Sequence, residues 1–139
     1  MTNAKDSLSY PNNRLLQLPI ANPNNEMGGV LVIDNLKTAA LPKTMEDIFS
    51  SAYTNYYPNK IIKPGSKSLS LQNSLGAVGC AIILENRITR FGIDVKYKKM
   101  GFGTELAELI KVNFPNAWVT VERSENGMIA TLTKAGYSV

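Results

Sequence analysis

The segment KKMGFGT, residues 98–104, combines the residue types that bind a phosphate group at the start of a helix. Gly101 and Gly103 allow a sharp turn and let a ligand approach the backbone closely. The first N–H groups of a following helix have no intrahelical partner, and the helix dipole favours negative charge there. Two lysines precede the glycines and a threonine follows them. The pattern predicts a pyrophosphate site, with a purely structural glycine turn as the alternative.

The sequence also excludes several other chemistries. It contains no Gly-x-x-x-x-Gly-Lys-Ser/Thr motif, so a P-loop is unsupported, and the third glycine of a dinucleotide-binding turn is missing. There is no histidine, which excludes Ser-His and Cys-His nucleophiles and most zinc sites, and we predict no metal site. The one cysteine, Cys80, lies in an apolar run and is expected to be an inert core residue.

Length and composition indicate one globular domain. The 139 residues are 44% hydrophobic and 19% charged, and the net charge of +4 suits an anionic ligand. Residues 1–27, rich in asparagine and proline, are expected to form a loosely held N-terminal segment of that domain. We find neither a secretory signal nor an apolar run of membrane-spanning length, so we expect a cytoplasmic protein that does not enter a membrane.

Hydrophobic periodicity and turn residues predict an α+β fold. We expect strands at 30–34, 77–84, 87–95 and 117–121, a strand that begins at residue 137, and helices at 45–56, 104–114 and 124–134. Glu85 and Asn86 form the turn of an antiparallel hairpin, Thr44 caps the first helix, and Gly136 ends the last one. A strand–helix–strand unit needs parallel pairing, so the prediction is a mixed, mostly antiparallel sheet with helices on both faces.

Two segments of the chain resemble the GNAT superfamily, whose members transfer an acyl group from coenzyme A to an amine. Residues 98–103 read KxxGxG after Tyr97, where the family has Arg/Gln-x-x-Gly-x-Gly/Ala between a strand and a helix. Residues 128–137 read MIxxLxKAGY, which is similar to the closing helix of the family. The resemblance covers roughly residues 75–139.

The resemblance implies a GNAT-like acyl-CoA acyltransferase fold and acetyl-CoA as co-substrate. It places the pyrophosphate on the backbone amides of residues 100–104 and the pantetheine arm along residues 91–95, which the family separates from the next parallel strand. An amine, carried by a small molecule or a protein, then attacks the thioester directly. The coenzyme-binding residues implied are Ile93, Val95, Lys98, Lys99, Met100, Gly101, Phe102, Gly103, Thr104 and Asn126.

The resemblance also suggests residues for catalysis. Glu122, at the end of the predicted strand 117–121, and Asp94, beside the expected thioester, are candidates for the general base. Either can equally be a solvated surface carboxylate. Tyr53, Tyr56 and Tyr57 are candidates for the wall of the acceptor pocket, with core packing as the alternative.

Departures from the family pattern keep two other functions open. Many members have an asparagine where this chain has Glu125, and many have a tyrosine general acid near Leu132, where this chain has none. The first alternative is therefore a GNAT-like module that binds coenzyme A without catalysis.

The second alternative is a nucleic-acid-modifying protein like the Mom-type branch. It is suggested by an acid-free stretch that carries Lys60, Lys63 and Lys67 next to Tyr56 and Tyr57. The short strand at the C-terminal end could be completed by a partner copy, so a homodimer is one predicted assembly.

Overall fold

The computed structural model describes residues 29–36, 40–53 and 62–138, together with the backbone of a two-residue strand near the N-terminus. The strands are β1 (Leu15–Leu16), β2 (Val30–Asn35), β3 (Lys67–Asn73), β4 (Gly76–Leu84) and β5 (Arg87–Ile93), and the helices are α1 (Lys43–Ala52), α2 (Phe102–Asn113) and α3 (Asn126–Lys134). A 3₁₀ turn, Val95–Tyr97, connects β5 to the segment before α2.

The five strands form one sheet in the order β1-β2-β3-β4-β5, and every neighbouring pair is antiparallel. The hairpin turn between β4 and β5 is the predicted one: Glu85 and Asn86 have φ angles of 49° and 71°. Two consecutive positive φ angles are typical of the two-residue turns that match the twist of a hairpin. The turn therefore fixes β5 as the strand next to β4.

Helices cover both faces of the sheet, as the sequence predicted. Cys80 and Ile82 of β4 pack with α1 in one hydrophobic cluster. Ala81 and Ile83 of the same strand belong to a larger cluster that contains α2 and Leu132 of α3. Because consecutive side chains of a strand point to opposite faces, the nearly continuous apolar run of β4 is explained by burial on both sides.

The first helix differs from the prediction at both ends. It begins after Pro42, and the backbone N–H groups of Met45 and Glu46 both donate to the Pro42 carbonyl. Thr44, the predicted cap, therefore lies inside the helix and makes no capping hydrogen bond. The helix ends at Ala52, one residue before Tyr53, whose backbone is extended, and residues 54–56 of the predicted span lie outside the described residues.

The last helix ends as predicted. Gly136 has a φ of 95°, which favours glycine. The Tyr137 N–H donates to the Leu132 carbonyl at 2.9 Å and the Gly136 N–H donates to the Thr133 carbonyl at 3.1 Å. These two bonds form a Schellman motif, which satisfies carbonyl groups that the helix leaves open.

The predicted parallel strand at 117–121 is wrong. The segment makes a single parallel bridge, between Arg87 and Trp118, and the Trp118 side chain is 52% exposed rather than buried. Val119 and Val121 pack against the core only in part. Because one bridge does not make a strand, the described sheet is antiparallel throughout rather than mixed. Residues 137 and 138 do not form a strand either, and Val139 lies outside the described residues.

The sequence also missed β3, although it is the central strand of the sheet. Its residues, KSLSLQN, place Leu69 and Leu71 on the buried face that meets α2, and Ser68 is buried too at 5% exposure. A small polar residue in a covered strand weakens the apolar pattern from which strands are predicted. Among the described helices, none is long and apolar enough to cross a membrane.

Candidate functional site

The glycine turn before α2 presents backbone N–H groups to open space. Gly101 is the N-terminal cap with a φ of 86°, and no side chain caps the helix. The first intrahelical bond runs from the Glu105 N–H to the Gly101 carbonyl at 3.1 Å, so the amides of residues 102–104 have no partner within the helix. A Cβ built on Gly101 would meet no atom within 4 Å. Among the described residues, the turn therefore offers free space beside amides that have no partner within the helix, which is what a bound anion needs.

Gly103 has a different role from Gly101. A Cβ at Gly103 would lie 3.2 Å from Cγ2 of Thr131 and 3.7 Å from Cγ1 of Ile93. Its small size therefore lets α2 pack closely against α3 and β5. One glycine of the motif serves the conformation of the turn and the other serves packing, so the two are not equivalent.

A cleft of about 580 Å³ joins this turn to β5. The residues that line it are Ala52, Tyr53, Phe91, Gly92, Ile93, Tyr97, Lys98, Lys99, Gly101, Phe102, Gly103, Thr104, Glu125, Gly127, Met128, Thr131 and Lys134. Three of these are lysines, and Glu125 is the one acid among the lining residues that the structure describes. The lining thus carries a net positive charge, which favours an anionic ligand.

One wall of the cleft is the open edge of β5. The Asp94 N–H donates to the Val78 carbonyl of β4 at 2.9 Å, so Asp94 turns its N–H toward the sheet. Backbone groups alternate in direction along an antiparallel strand, so Ile93 and Phe91 turn theirs away from β4 and toward the cleft. At Phe91 these groups are bonded by Tyr53: the hydroxyl accepts from the Phe91 N–H at 2.8 Å and donates to the Phe91 carbonyl at 2.7 Å.

The segment 117–121 contacts β5 at one end only. The Ile88 N–H donates to the Trp118 carbonyl, and the Trp118 N–H donates to the Asn86 carbonyl, both at 2.8 Å. No further bridge joins this segment to β5 within the described residues. The chain then leads to α3, whose residues form the far wall of the cleft. Among the described residues, no strand thus pairs with the edge of β5 between Phe91 and the glycine turn.

Seven of the ten predicted coenzyme-binding residues line the cleft: Ile93, Lys98, Lys99, Gly101, Phe102, Gly103 and Thr104. Val95, Met100 and Asn126 do not line it, and all three are exposed. Tyr97 does line it, and its ring meets Phe102 edge-on with centroids 6.4 Å apart.

The two carboxylates that the sequence offered as bases lie outside the lining of the cleft. Asp94 caps the 3₁₀ turn by accepting the Lys96 N–H at 3.0 Å, and Lys96 Nζ lies 3.9 Å from its other oxygen. Glu122 is exposed, and its backbone N–H donates to Oε2 of Glu125 at 3.1 Å. The acidic residue that lines the cleft is Glu125, which the sequence marked only as a departure from the asparagine of many GNAT members.

The tyrosine candidates are described only in part. Tyr53 lines the cleft, its ring stacks on Phe49 with centroids 5.9 Å apart, and burial raises the pKa of its hydroxyl. Tyr56, Tyr57 and Lys60 lie outside the described residues, so the nucleic-acid hypothesis stays a prediction.

Cys80 is buried, as predicted for a core residue. Its side chain is 0% exposed, and this burial raises the pKa of the thiol. A second cavity, of about 510 Å³, lies between α2, α3 and the segment 117–123, and none of the predicted site residues line it. No cluster of three or more metal-ligating side chains forms in the described part of the chain.

Comparison with protein-family models, curated proteins and solved structures gives no significant match.

Proposed function

We propose that the protein is a GNAT-like N-acyltransferase that transfers an acyl group from an acyl-CoA, acetyl-CoA in the simplest case, to an amine. One observation carries the proposal: a single cleft connects the bare amides of the glycine turn with the open backbone edge of β5. An elongated ligand that has an anionic end and amide groups along its length fits both parts. Coenzyme A has this chemistry, because its pyrophosphate continues into the two amides of pantetheine.

The anionic end is expected to bind at the turn. The amides of residues 102–104 point to the start of α2, where the helix dipole favours negative charge. Lys98 and Lys99 approach from the preceding loop and Lys134 from the last turn of α3. Cations on two separate elements can contact phosphate oxygens from different sides, which the glycine turn alone cannot do.

The amide part is expected to bind along β5. Ile93 directs its backbone N–H and C=O toward the cleft, so a pantetheine amide can pair with it as a neighbouring strand would. Gly92 lets α1 pack closely on β5 beside this edge, because a Cβ there would lie 3.1 Å from Cβ of Ala52 and 3.2 Å from Cδ1 of Phe49. This arrangement directs the thioester toward Phe91 and Tyr53.

The transfer step needs little covalent chemistry from the protein. The amine nitrogen bonds to the acyl carbon, the carbon–sulfur bond breaks, and a proton passes from the amine to the departing sulfur. The protein holds the two substrates next to each other, and one of its side chains accepts the amine proton before the proton reaches the sulfur. Glu125 is the carboxylate in the lining that can accept it, and its negative charge also attracts a protonated amine.

Coenzyme binding can be tested at Gly101. In the variant Gly101→Asp, the backbone should be retained, because aspartate tolerates a positive φ better than most residues. The new carboxylate would enter the open space over the helix amides and repel a phosphate group there. We expect isothermal titration with acetyl-CoA to detect binding by the unmodified protein. Binding should weaken by at least about tenfold in the variant, because the aspartate places a negative charge next to the phosphate position.

Gly76→Asp is the matched control for this experiment. Gly76 has a φ of 98°, a Cβ there would also meet nothing within 4 Å, and the residue lies at the hairpin turn between β3 and β4, away from the cleft. Both variants therefore carry a similar backbone strain, and only one changes the cleft. Equal affinity in the two variants, or no titration heat with the unmodified protein, would contradict coenzyme binding at this turn.

A coenzyme-binding module without catalysis is the second candidate. It is favoured by the positions of Asp94 and Glu122, neither of which lines the cleft. Acyl transfer to a panel of amines separates the two functions. An enzyme should release coenzyme A with a free thiol when an acceptor amine is present. Glu125→Gln should slow this release of coenzyme A without weakening acetyl-CoA binding. If acetyl-CoA binds but no acceptor amine causes the release of coenzyme A, the result would support the binding module instead.

A further inference from the structure

Among the described residues, Tyr53 occupies the edge of β5 at Phe91, the residue of β5 in the cleft lining that is farthest along the strand from the glycine turn. Tyr53 follows directly after α1, and its hydroxyl bonds both backbone groups that Phe91 turns toward the cleft. A neighbouring strand would occupy the same position on β5. An extended ligand can therefore pair with Ile93 but not with Phe91, which lies two residues, or about 7 Å, farther along the strand.

The core of the protein holds Tyr53 in this position. Its ring lies nearly parallel to the ring of Phe49, at an interplanar angle of 10°, and Phe49 is 0% exposed. The hydroxyl makes one bond as donor and one as acceptor to the same residue, which fixes the hydroxyl end of the ring. Because α1 is anchored on the sheet by Met45, Ile48 and Phe49, moving Tyr53 would disturb the packing behind it.

We propose that Tyr53 limits the length of the acyl group that the cleft accepts. This inference rests on the proposed function, since it takes the thioester to lie between Ile93 and Phe91. A two-carbon acyl group ends before the tyrosine ring, whereas a longer chain in line with the pantetheine arm would overlap the ring. Tyr53 is then a specificity-determining residue and does not need to take part in the transfer of protons.

The test compares the binding of coenzyme A, acetyl-CoA and octanoyl-CoA by isothermal titration. We expect the unmodified protein to bind octanoyl-CoA at least about tenfold more weakly than acetyl-CoA. The reason is that the Tyr53 ring occupies the space that the additional methylene groups of the octanoyl chain would need. In Tyr53→Ala this difference should shrink to within about twofold, because the ring no longer blocks the acyl chain. The affinity for coenzyme A itself should change little, since the phosphate site is at the other end of the cleft.

Two further variants keep the test independent of folding. Tyr53→Leu retains an apolar contact with Phe49 but cannot reach Phe91, so it should accept octanoyl-CoA even if the alanine variant is unstable. Tyr137→Phe is the matched control, because Tyr137 is also half-buried and donates its hydroxyl to a backbone carbonyl, that of Ala107, but lines the second cavity. It should discriminate against octanoyl-CoA as the unmodified protein does.

The possible failures are distinguishable. If coenzyme A binds and the unmodified protein accepts octanoyl-CoA as well as acetyl-CoA, the role of Tyr53 is overturned and the proposed function stands. The role of Tyr53 is also overturned, and the proposed function again stands, if the Tyr53→Leu variant is folded and still excludes octanoyl-CoA. If coenzyme A itself does not bind to the unmodified protein, the proposed function and this inference fall together.

Discussion

At the residue scale, two tyrosines use the same local contact for different purposes. Tyr53 and Tyr137 each bury much of the ring and donate the hydroxyl to a backbone carbonyl. Burial raises the pKa of both, that of Tyr137 to about 12. The ionised form is disfavoured in each case because burial deprives the charge of solvation. Of the two, only Tyr53 lines the cleft, and the proposed limit on acyl-chain length rests on that position.

The raised pKa of Tyr137 predicts how stability depends on pH. Unfolding returns this group to a pKa near 10, so its contribution is complete below about pH 10 and is lost as pH rises toward 12. Because the side chain is half-buried and solvent screens the charge, we expect a loss of about 1 kcal/mol rather than the full linkage value. Urea unfolding at about pH 9 and about pH 11 measures this loss in the free energy of unfolding.

Tyr137→Phe isolates the effect, since every other titrating group is shared with the unmodified protein. The variant should lose less free energy of unfolding than the unmodified protein between the two pH values. An equal loss in both proteins would show that Tyr137 ionises alike in the folded and unfolded states, and would remove the pKa argument.

At the element scale, the hairpin of β4 and β5 sets the edge on which the cleft is built. Its turn places Glu85 at a φ of 49°, a conformation that costs a glutamate more than an asparagine or glycine. Glu85 is exposed. The residue is therefore suboptimal for the turn, although the turn itself is defined by Asn86 and by the pairing of Leu84 with Arg87.

Replacing Glu85 by asparagine should stabilise the protein. We expect the free energy of unfolding to rise by about 0.5 to 1 kcal/mol, because asparagine adopts the left-handed conformation more readily. The urea midpoint should increase while the dependence on urea concentration stays constant. Glu85→Gln removes the same charge and keeps a poor turn residue, so it should give no such gain; an equal gain would assign the effect to charge.

Local signals explain which elements the sequence could predict. The turn at Glu85 and Asn86 and the helix end at Gly136 are set by residues close in the chain, and both predictions are confirmed. The strand β3 and the segment 117–121 depend on distant partners. Ser68 is acceptable in β3 because two strands and two layers of helix surround it, while the valines of 117–121 lack a second neighbouring strand in the described structure.

At the scale of the whole molecule, the cleft combines elements that are far apart in the sequence. Tyr53 follows α1 on one face of the sheet, whereas Lys134 and Glu125 belong to α3 and its approach on the other. Periodicity could place the glycine turn between a strand and a helix, but it could not bring these three residues to the same cleft. Glu125 and Lys134 were missed as contributors for this reason.

The distribution of charge predicts how coenzyme binding responds to salt. The chain carries a net charge of +4, and the cleft contains three lysines and one glutamate among its described lining residues. Exposed charges are screened as ionic strength rises, so the affinity for acetyl-CoA should fall by about tenfold between about 50 mM and about 500 mM NaCl. Lys134→Ala should reduce both the affinity at low salt and the steepness of this fall, because it removes a cation that faces the ligand.

Lys43→Ala is the matched control for Lys134→Ala, because it removes the same charge from an exposed position on α1, where Lys43 pairs with Asp47 at 3.2 Å. It lowers the net charge equally but leaves the cleft unchanged. If the two variants weaken acetyl-CoA binding to the same extent, the attraction comes from the net charge of the protein and not from a site at Lys134. If only Lys134→Ala has an effect, the last turn of α3 contributes directly to the binding of the phosphate groups.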